Sequence, residues 1–123
     1  MFGQLRIRWR RSFLLRPISG LLMTGDGKCL SHSNSDVRVE LCDGGSTDQH
    51  WRKQQFGQSG TTYMVHAVGT DKCLEEWEGR LTLYGCDSGS EAFMFTTEDQ
   101  VAFGTMMNVK SRRCAAADGM CTL

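Results

Sequence analysis

The chain has 123 residues, a hydrophobic fraction of 40%, 14 glycines and a single proline, Pro17, which suits one modest, turn-rich domain with a single core. Its formal net charge is zero, yet Arg6, Arg8, Arg10, Arg11 and Arg16 all precede the first acid, Asp26, so nine basic side chains face fourteen acidic ones in the remainder. A body with that balance argues against a nucleic-acid partner, and without an apolar run of about 18 residues no membrane span is expected.

In chain order, Leu5, Ile7 and Trp9 alternate with Arg6 and Arg8, the period of a strand with one basic face, within a basic N-terminal strand or tail covering residues 1–17. Phe13-Leu14-Leu15 is cut short by Arg16-Pro17, too briefly for the apolar region of a signal peptide. Leu21-Leu22-Met23 predicts a short strand, closed by the turn signal Gly25-Asp26-Gly27. Lys28 to Leu30 predicts the next strand, followed by a Ser/Asn-rich loop from His32 to Asp36. Val37, Val39 and Leu41 alternate with Arg38 and Glu40, a half-buried strand running into Cys42, and Asp43-Gly44-Gly45-Ser46 turns the chain before Gln49-His50-Trp51.

Most of this returns 44 positions later. Lys28-Cys29-Leu30 maps onto Lys72-Cys73-Leu74, Cys42-Asp43 onto Cys86-Asp87, Gly45-Ser46 onto Gly89-Ser90, and Trp51 onto Phe95. Ahead of the second copy Tyr63, Val65 and Ala67 alternate; within it Leu81 and Leu83 stand where Val37 and Val39 stand in the first. A unit repeated in this way cannot bury its apolar face alone, so neighbouring units must share a core. With strands and turn signals at short intervals and no helical period, the fold class is all-β. A third unit begins at Val101 and Phe103, continues through Met107 and Val109 to Arg113-Cys114, and stops at Leu123. By register, the partner of Cys114 and the closing aromatic lie beyond the last residue, and Cys121 does not fit the pattern. Either the chain is cut short there, or the strand around Leu5 to Trp9 supplies the missing edge, as in a permuted chain.

Six cysteines in pairs at regular spacing favour disulfides and an oxidising compartment. Zinc is disfavoured: no CxxC occurs, and His32, His50 and His66 lack ligand-like spacing to the cysteines. Catalysis is not expected. The paired carboxylates Glu75-Glu76 and Glu98-Asp99 are sequence neighbours, and none of the common nucleophile, phosphate-loop or zinc-protease motifs is present. No cofactor is called for.

The Cys-Leu start, the strand ending in Cys and the Gln49-x-Trp51 closure together resemble the ricin-type β-trefoil lectin domain. The run from Leu81 to Glu91 is similar to the cysteine-rich domain of the mannose receptor group, and the lectin domain of polypeptide N-acetylgalactosaminyltransferases is alike in style. The resemblance implies a single β-trefoil of three pseudo-repeats, with units at about residues 18–57, 58–99 and an incomplete 100–123. It implies disulfides Cys29–Cys42 and Cys73–Cys86, each closing a loop of about a dozen residues and contributing about 3 kcal/mol. It places the protein outside the cell or in the secretory-pathway lumen, with glycans or glycoproteins of the galactose or N-acetylgalactosamine type as partners.

Sugar sites of that family combine an acceptor after Cys-Leu, an aromatic platform before the second Cys and an Asn or Asp before the closing Gln. In the first unit these positions hold Ser31, Glu40 and Asp48, which lack both the acid and the platform. In the second they hold Glu75, Tyr84 and Ala92; Glu91 is a substitute anchor and Trp77 a second stacking surface. The implied sugar-binding set is therefore Glu75, Tyr84, Trp77 and Glu91, with Asp48 and Gln49 from the first unit. Gln49 has a structural reading as well, since an amide beside a core aromatic can satisfy backbone groups. The third unit offers only Asp118. Two other readings compete: a protein-interaction trefoil with vestigial sugar sites, carried by Trp77 and the basic strand, and a targeting module separated from a glycosyltransferase. An incomplete third unit would also leave strand edges open, so self-association is expected.

Overall fold

The computed structural model describes residues 13–33, 36–56, 60–97, 104–117 and 119–121; the expected strand at residues 5–9, along with Val101, Phe103 and Asp118, lies outside them. The described chain is all-β. Its strands are β1 (Arg16–Ile18), β2 (Leu21–Met23), β3 (Lys28–Ser33), β4 (Asp36–Leu41), β5 (Trp51–Phe56), β6 (Thr62–Ala67), β7 (Lys72–Trp77), β8 (Arg80–Gly85), β9 (Phe95–Thr96), β10 (Met107–Asn108), β11 (Cys114–Ala116) and β12 (Gly119–Cys121). They form a sheet in the order β1-β2-β3-β4 and a larger one in the order β12-β11-β10-β9-β6-β7-β8, with β5 also on β6. Among the described residues no helix is long and apolar enough to cross a membrane.

Three antiparallel pairs, β3–β4, β5–β6 and β7–β8, have six ladder pairs each, and the first and last of them are the two long hairpins that carry the repeated cysteines. The expected loop from His32 to Asp36 is shorter than read, because β3 runs on to Ser33 and β4 starts at Asp36. Val37 and Val39 pack against the core as their alternation requires, whereas Leu41 is 77% exposed. A disulfide closes the open end of each hairpin, Cys29 to Cys42 and Cys73 to Cys86. After each second cysteine an aspartate takes a backbone amide two residues on. Gly45 N donates to Asp43 Oδ1 at 3.1 Å, and Gly89 N to Asp87 Oδ1 at 2.9 Å. Such Asx turns explain why Asp and Gly recur there. Short 3₁₀ turns follow at Thr47–Gln49 and Glu91–Phe93.

One ladder arrangement recurs three times. Met23 faces Cys29, His66 faces Cys73 and Met107 faces Cys114. On the other side the same three residues face Arg16, Arg52 and Thr96. One residue before each of these last three comes a core side chain: Leu15, Trp51 and Phe95. Leu22, Val65 and Met106 precede the facing residues, and Leu30, Leu74 and Ala115 follow the cysteines, all in the same buried cluster. Leu15 thus occupies the position that the sequence assigned to a missing aromatic.

The third turn of this pattern is closed from the N-terminal side, by residues 13–18. Leu15 N donates to Ala115 O at 3.0 Å, Met106 N to Leu15 O at 3.4 Å and Ala117 N to Phe13 O at 2.7 Å, and Leu14 bridges Ala116. The segment that closes this edge therefore follows residues 5–9 in sequence. Ser19 and Gly20, both at positive φ, let β1 fold back onto β2 in a two-residue turn. The expectation that Cys114 finds its partner beyond Leu123 is also corrected. Cys114 is disulfide-bonded, Cys29 is joined to Cys42 and Cys73 to Cys86, and the β11–β12 ladder sets residue 121 opposite Cys114. The short hairpin that brings residue 121 back was hidden by measuring the third unit against the longer first two.

Buried polar groups are largely satisfied. Asn108 donates to Ala92 O at 2.9 Å and accepts from Lys110 N and Ser111 N, each at 3.0 Å. Trp51 Nε1 donates to Leu30 O at 3.0 Å. Burial pushes the Tyr63 phenol up to about 12, against a hydrogen bond with Thr97 that lowers it. Because Leu15 is wholly buried, Leu15→Ala is expected to destabilise the fold by about 2–5 kcal/mol, with Ile18→Ala on the exposed side of β1 costing far less. Urea unfolding measures both; equal small losses would show that residues 13–18 do not close the core.

Candidate functional site

The candidate site lies on the outer face of β7–β8. The turn between these strands is Glu78-Gly79, with φ of 52° and 81°, the pair of left-handed residues that a type I′ hairpin requires and that makes glycine the natural second residue. It is fastened from below. Glu76 is buried and its Oε2 accepts from Gly79 N at 2.8 Å, while Met120 N of β12 donates to Gly79 O at 2.9 Å. Strand alternation then sorts the side chains. Leu74, Leu81 and Leu83 face the core. The ladder pairs Tyr84 with Cys73, Thr82 with Glu75 and Arg80 with Trp77, which sets Tyr84, Thr82, Glu75, Trp77 and Arg80 on the opposite face.

Glu75, Trp77, Thr82 and Tyr84, together with Leu83, line a groove of about 460 Å³. Trp77 is 57% and Tyr84 68% exposed, although large aromatics elsewhere in the described chain, Trp51, Tyr63 and Phe95, are buried. Between the two exposed rings, Thr82 Oγ1 donates to Glu75 O at 3.3 Å and lies 3.4 Å from Glu75 Oε1. The groove therefore offers a carboxylate acceptor and a hydroxyl at its centre with an apolar ring at either end. That combination suits a ligand with hydroxyls along its edge and C–H surface on its face.

Of the residues expected at a sugar site, Glu75, Tyr84 and Trp77 come together here. Thr82 was missed; counting back across a Glu78-Gly79 turn would have placed it opposite Glu75. Glu91 is exposed in the 3₁₀ turn capped by Ser90 and does not line this groove. Asp48 opens instead onto a separate concavity of about 500 Å³, together with Thr47, Thr70 and Lys72. Gln49 is buried, and both ends of its amide are used by the backbone. Nε2 donates to Leu41 O at 2.8 Å and Oε1 accepts from Asp43 N at 2.7 Å. Its role is to staple the end of β4 to the turn. In the first hairpin Ser31 is buried opposite Arg38, and Glu40 occupies the ladder position that Tyr84 holds in the second, facing Cys29. Ala92 is buried.

A cluster of metal-type donors was not visible in the sequence spacing. His66, Cys73 and Cys86 lie with their ligating atoms within 4.8 Å of one another, because β6 places His66 opposite Cys73. Two of the three donors are spent in the disulfide, at an S–S distance of 2.02 Å, so the cluster as it stands offers a metal only an imidazole. His66 Nδ1 lies 3.6 Å from Cys86 Sγ and its Nε2 is 2.5 Å from Gln54 Oε1. Burial lowers its pKa, with a smaller contribution from neighbouring Arg52. His50 Nε2 lies 2.8 Å from Gly44 O, and His32 Nε2 3.0 Å from His50 O with its ring edge-on to Trp51. These histidines serve packing and backbone satisfaction.

No family model matches the chain, and no curated protein matches it.

Removing the Gln49 amide should leave the Asp43 N–H and Leu41 C=O without their partner. We expect Gln49→Ala to cost about 1–3 kcal/mol in denaturant unfolding, and a neutral result would refute the staple. His66 sets an acid limb. The unfolded chain takes up a proton near 6.5 and the folded chain only at lower pH, so stability falls as pH drops from about 6.5 through the lowered folded value. Unfolding midpoints followed over that interval should fall less steeply in His66→Gln; identical slopes would show that His66 does not set them.

Proposed function

We propose that the protein is a non-catalytic carbohydrate-binding module, a lectin for galactose- or N-acetylgalactosamine-type glycans, built as a β-trefoil of the ricin type. The observation that carries this reading is the β7–β8 face, where Glu75 stands beside Thr82 between two exposed aromatic rings. A saccharide needs those two elements together. A carboxylate can bridge adjacent hydroxyls with charge-assisted hydrogen bonds, and a ring can lie against the C–H face of the sugar. Glu75 and Tyr84 are also the positions at which the family that the sequence resembles holds its acceptor and platform.

Support for the trefoil comes from the threefold recurrence of one ladder register around Met23, His66 and Met107 and from the matching core trio Leu15, Trp51 and Phe95. In this reading residues 13–18 stand in for the closing strand of the third unit. Disulfides Cys29–Cys42 and Cys73–Cys86 fit an oxidising extracellular or secretory-lumen setting. In this reading the first unit contributes little to sugar binding, which fits the burial of Ser31 and the hydrogen bonds of Gln49 to the backbone at Leu41 and Asp43.

A glycan array tests the assignment directly. The folded, disulfide-bonded protein should bind galactose- or N-acetylgalactosamine-terminated glycans, and Tyr84→Ala and Glu75→Ala should each weaken binding by about tenfold or more. Both side chains lie on the outer face, so the variants should melt as the parent does. An array on which the well-folded parent binds nothing would sink the lectin reading.

A further inference from the structure

Resting on the reading of the β7–β8 face as a sugar site, we propose that its groove takes a neutral, linear oligosaccharide lengthwise, over several sugar units, rather than one terminal sugar. The argument is the spacing of the two platforms. Tyr84 stands opposite Cys73 and Trp77 opposite Arg80, so the rings spring from ladder positions four residues apart, about 14 Å at the rise of an antiparallel strand. A single pyranose covers one aromatic face and cannot reach both. Yet both rings line one continuous groove, and its volume of about 460 Å³ lies in the range that holds ligands much larger than a monosaccharide, about 300–1,000 Å³.

The centre of the groove fits an internal sugar unit. Glu75 and Thr82 sit midway between the platforms and present an acceptor and a hydroxyl to a chain already stacked at both ends. Exposure argues the same way. Trp77 is largely exposed and belongs to no core cluster, so an aromatic surface left open beyond the first platform has work only if the ligand extends to it. Charge selects the class of chain. The acceptor in the groove is itself a carboxylate, Glu75, and the residues that line the groove include no cation, which disfavours uronate or sulfated chains.

Calorimetric titration of the intact protein with galactose, then with β-linked galacto-disaccharide, -trisaccharide and -tetrasaccharide, tests this, with an oligogalacturonate of equal length as the acidic counterpart. Affinity should climb by about tenfold from galactose to the tetrasaccharide, the contribution of one further platform, and the acidic chain should bind more weakly. Trp77→Ala should flatten the climb and Trp77→Tyr should restore part of it, a pattern that a merely structural role would not give. A series in which galactose binds as tightly as the tetrasaccharide, or in which Trp77→Ala weakens every length by one factor, overturns lengthwise binding and leaves a terminal-sugar lectin. Silence at every length, from protein whose disulfides and melting are intact, removes the galactose-type site itself and this inference with it.

Discussion

Hydrogen bonds between residues 13–15 and Met106, Ala115 and Ala117 are the constraint on which the rest of the structure depends. A sheet arrangement of short strands has open edges wherever a neighbour is missing, and an open edge beside a core exposes both unpaired amides and apolar side chains. Here the N-terminal side of the described chain covers such an edge and sets Leu15 into the same cluster as Trp51 and Phe95. Leucine is smaller than tryptophan, and the neighbouring Met106 and Met120 are flexible enough to fill irregular space around it. β1 also gives β2 its outer partner, and through β2 the first long hairpin is tied to the segment whose Leu15 bonds Ala115.

The second long hairpin divides its work between faces. Its inner residues, Leu74, Leu81 and Leu83, belong to the core, and its turn is held by Glu76 and by β12. A carboxylate buried at a turn is costly unless a donor meets it; the Gly79 amide does so, and the left-handed Gly79 geometry is what aims that amide inward. With stability secured from beneath, the outer residues are free to differ from the first hairpin. That is where they do differ. Arg38 is bridged to Asp36 at 3.3 Å and Glu40 stands beyond it on one hairpin, whereas Thr82 and Tyr84 stand at the matching ladder positions of the other. The two hairpins share a skeleton and offer unlike surfaces.

Much of this was legible in the residues. Alternation gave Val37 and Val39, Tyr63, Val65 and Ala67, and Leu81 and Leu83 as inward positions, and the 44-residue echo gave Trp51 and Phe95 as equivalent core groups. The candidate residues Glu75, Trp77 and Tyr84 line one groove because local order along one hairpin is preserved in three dimensions. What could not be read depends on pairing between distant stretches. His66 meets Cys73 only through the β6–β7 register, Glu91 leaves the groove because its 3₁₀ turn lies off the hairpin, and closure by residues 13–18 has no local signature. Leu15 looked like part of a short apolar run ended by Arg16-Pro17, yet Pro17 sits in β1 facing Leu22, at the sheet edge where a strand tolerates a missing N–H.

That closure has a temporal side. Leu15 and Ala115 are hydrogen-bonded across a hundred positions of sequence, so during synthesis Leu14 and Leu15 emerge long before their partners exist. The two disulfide-closed hairpins draw on contacts within about a dozen residues and can form early, but the shared core must wait for β10 and β11. Contacts of such long sequence separation slow folding, and until they form the nascent chain carries a naked apolar strand of the sort that invites aggregation or a chaperone.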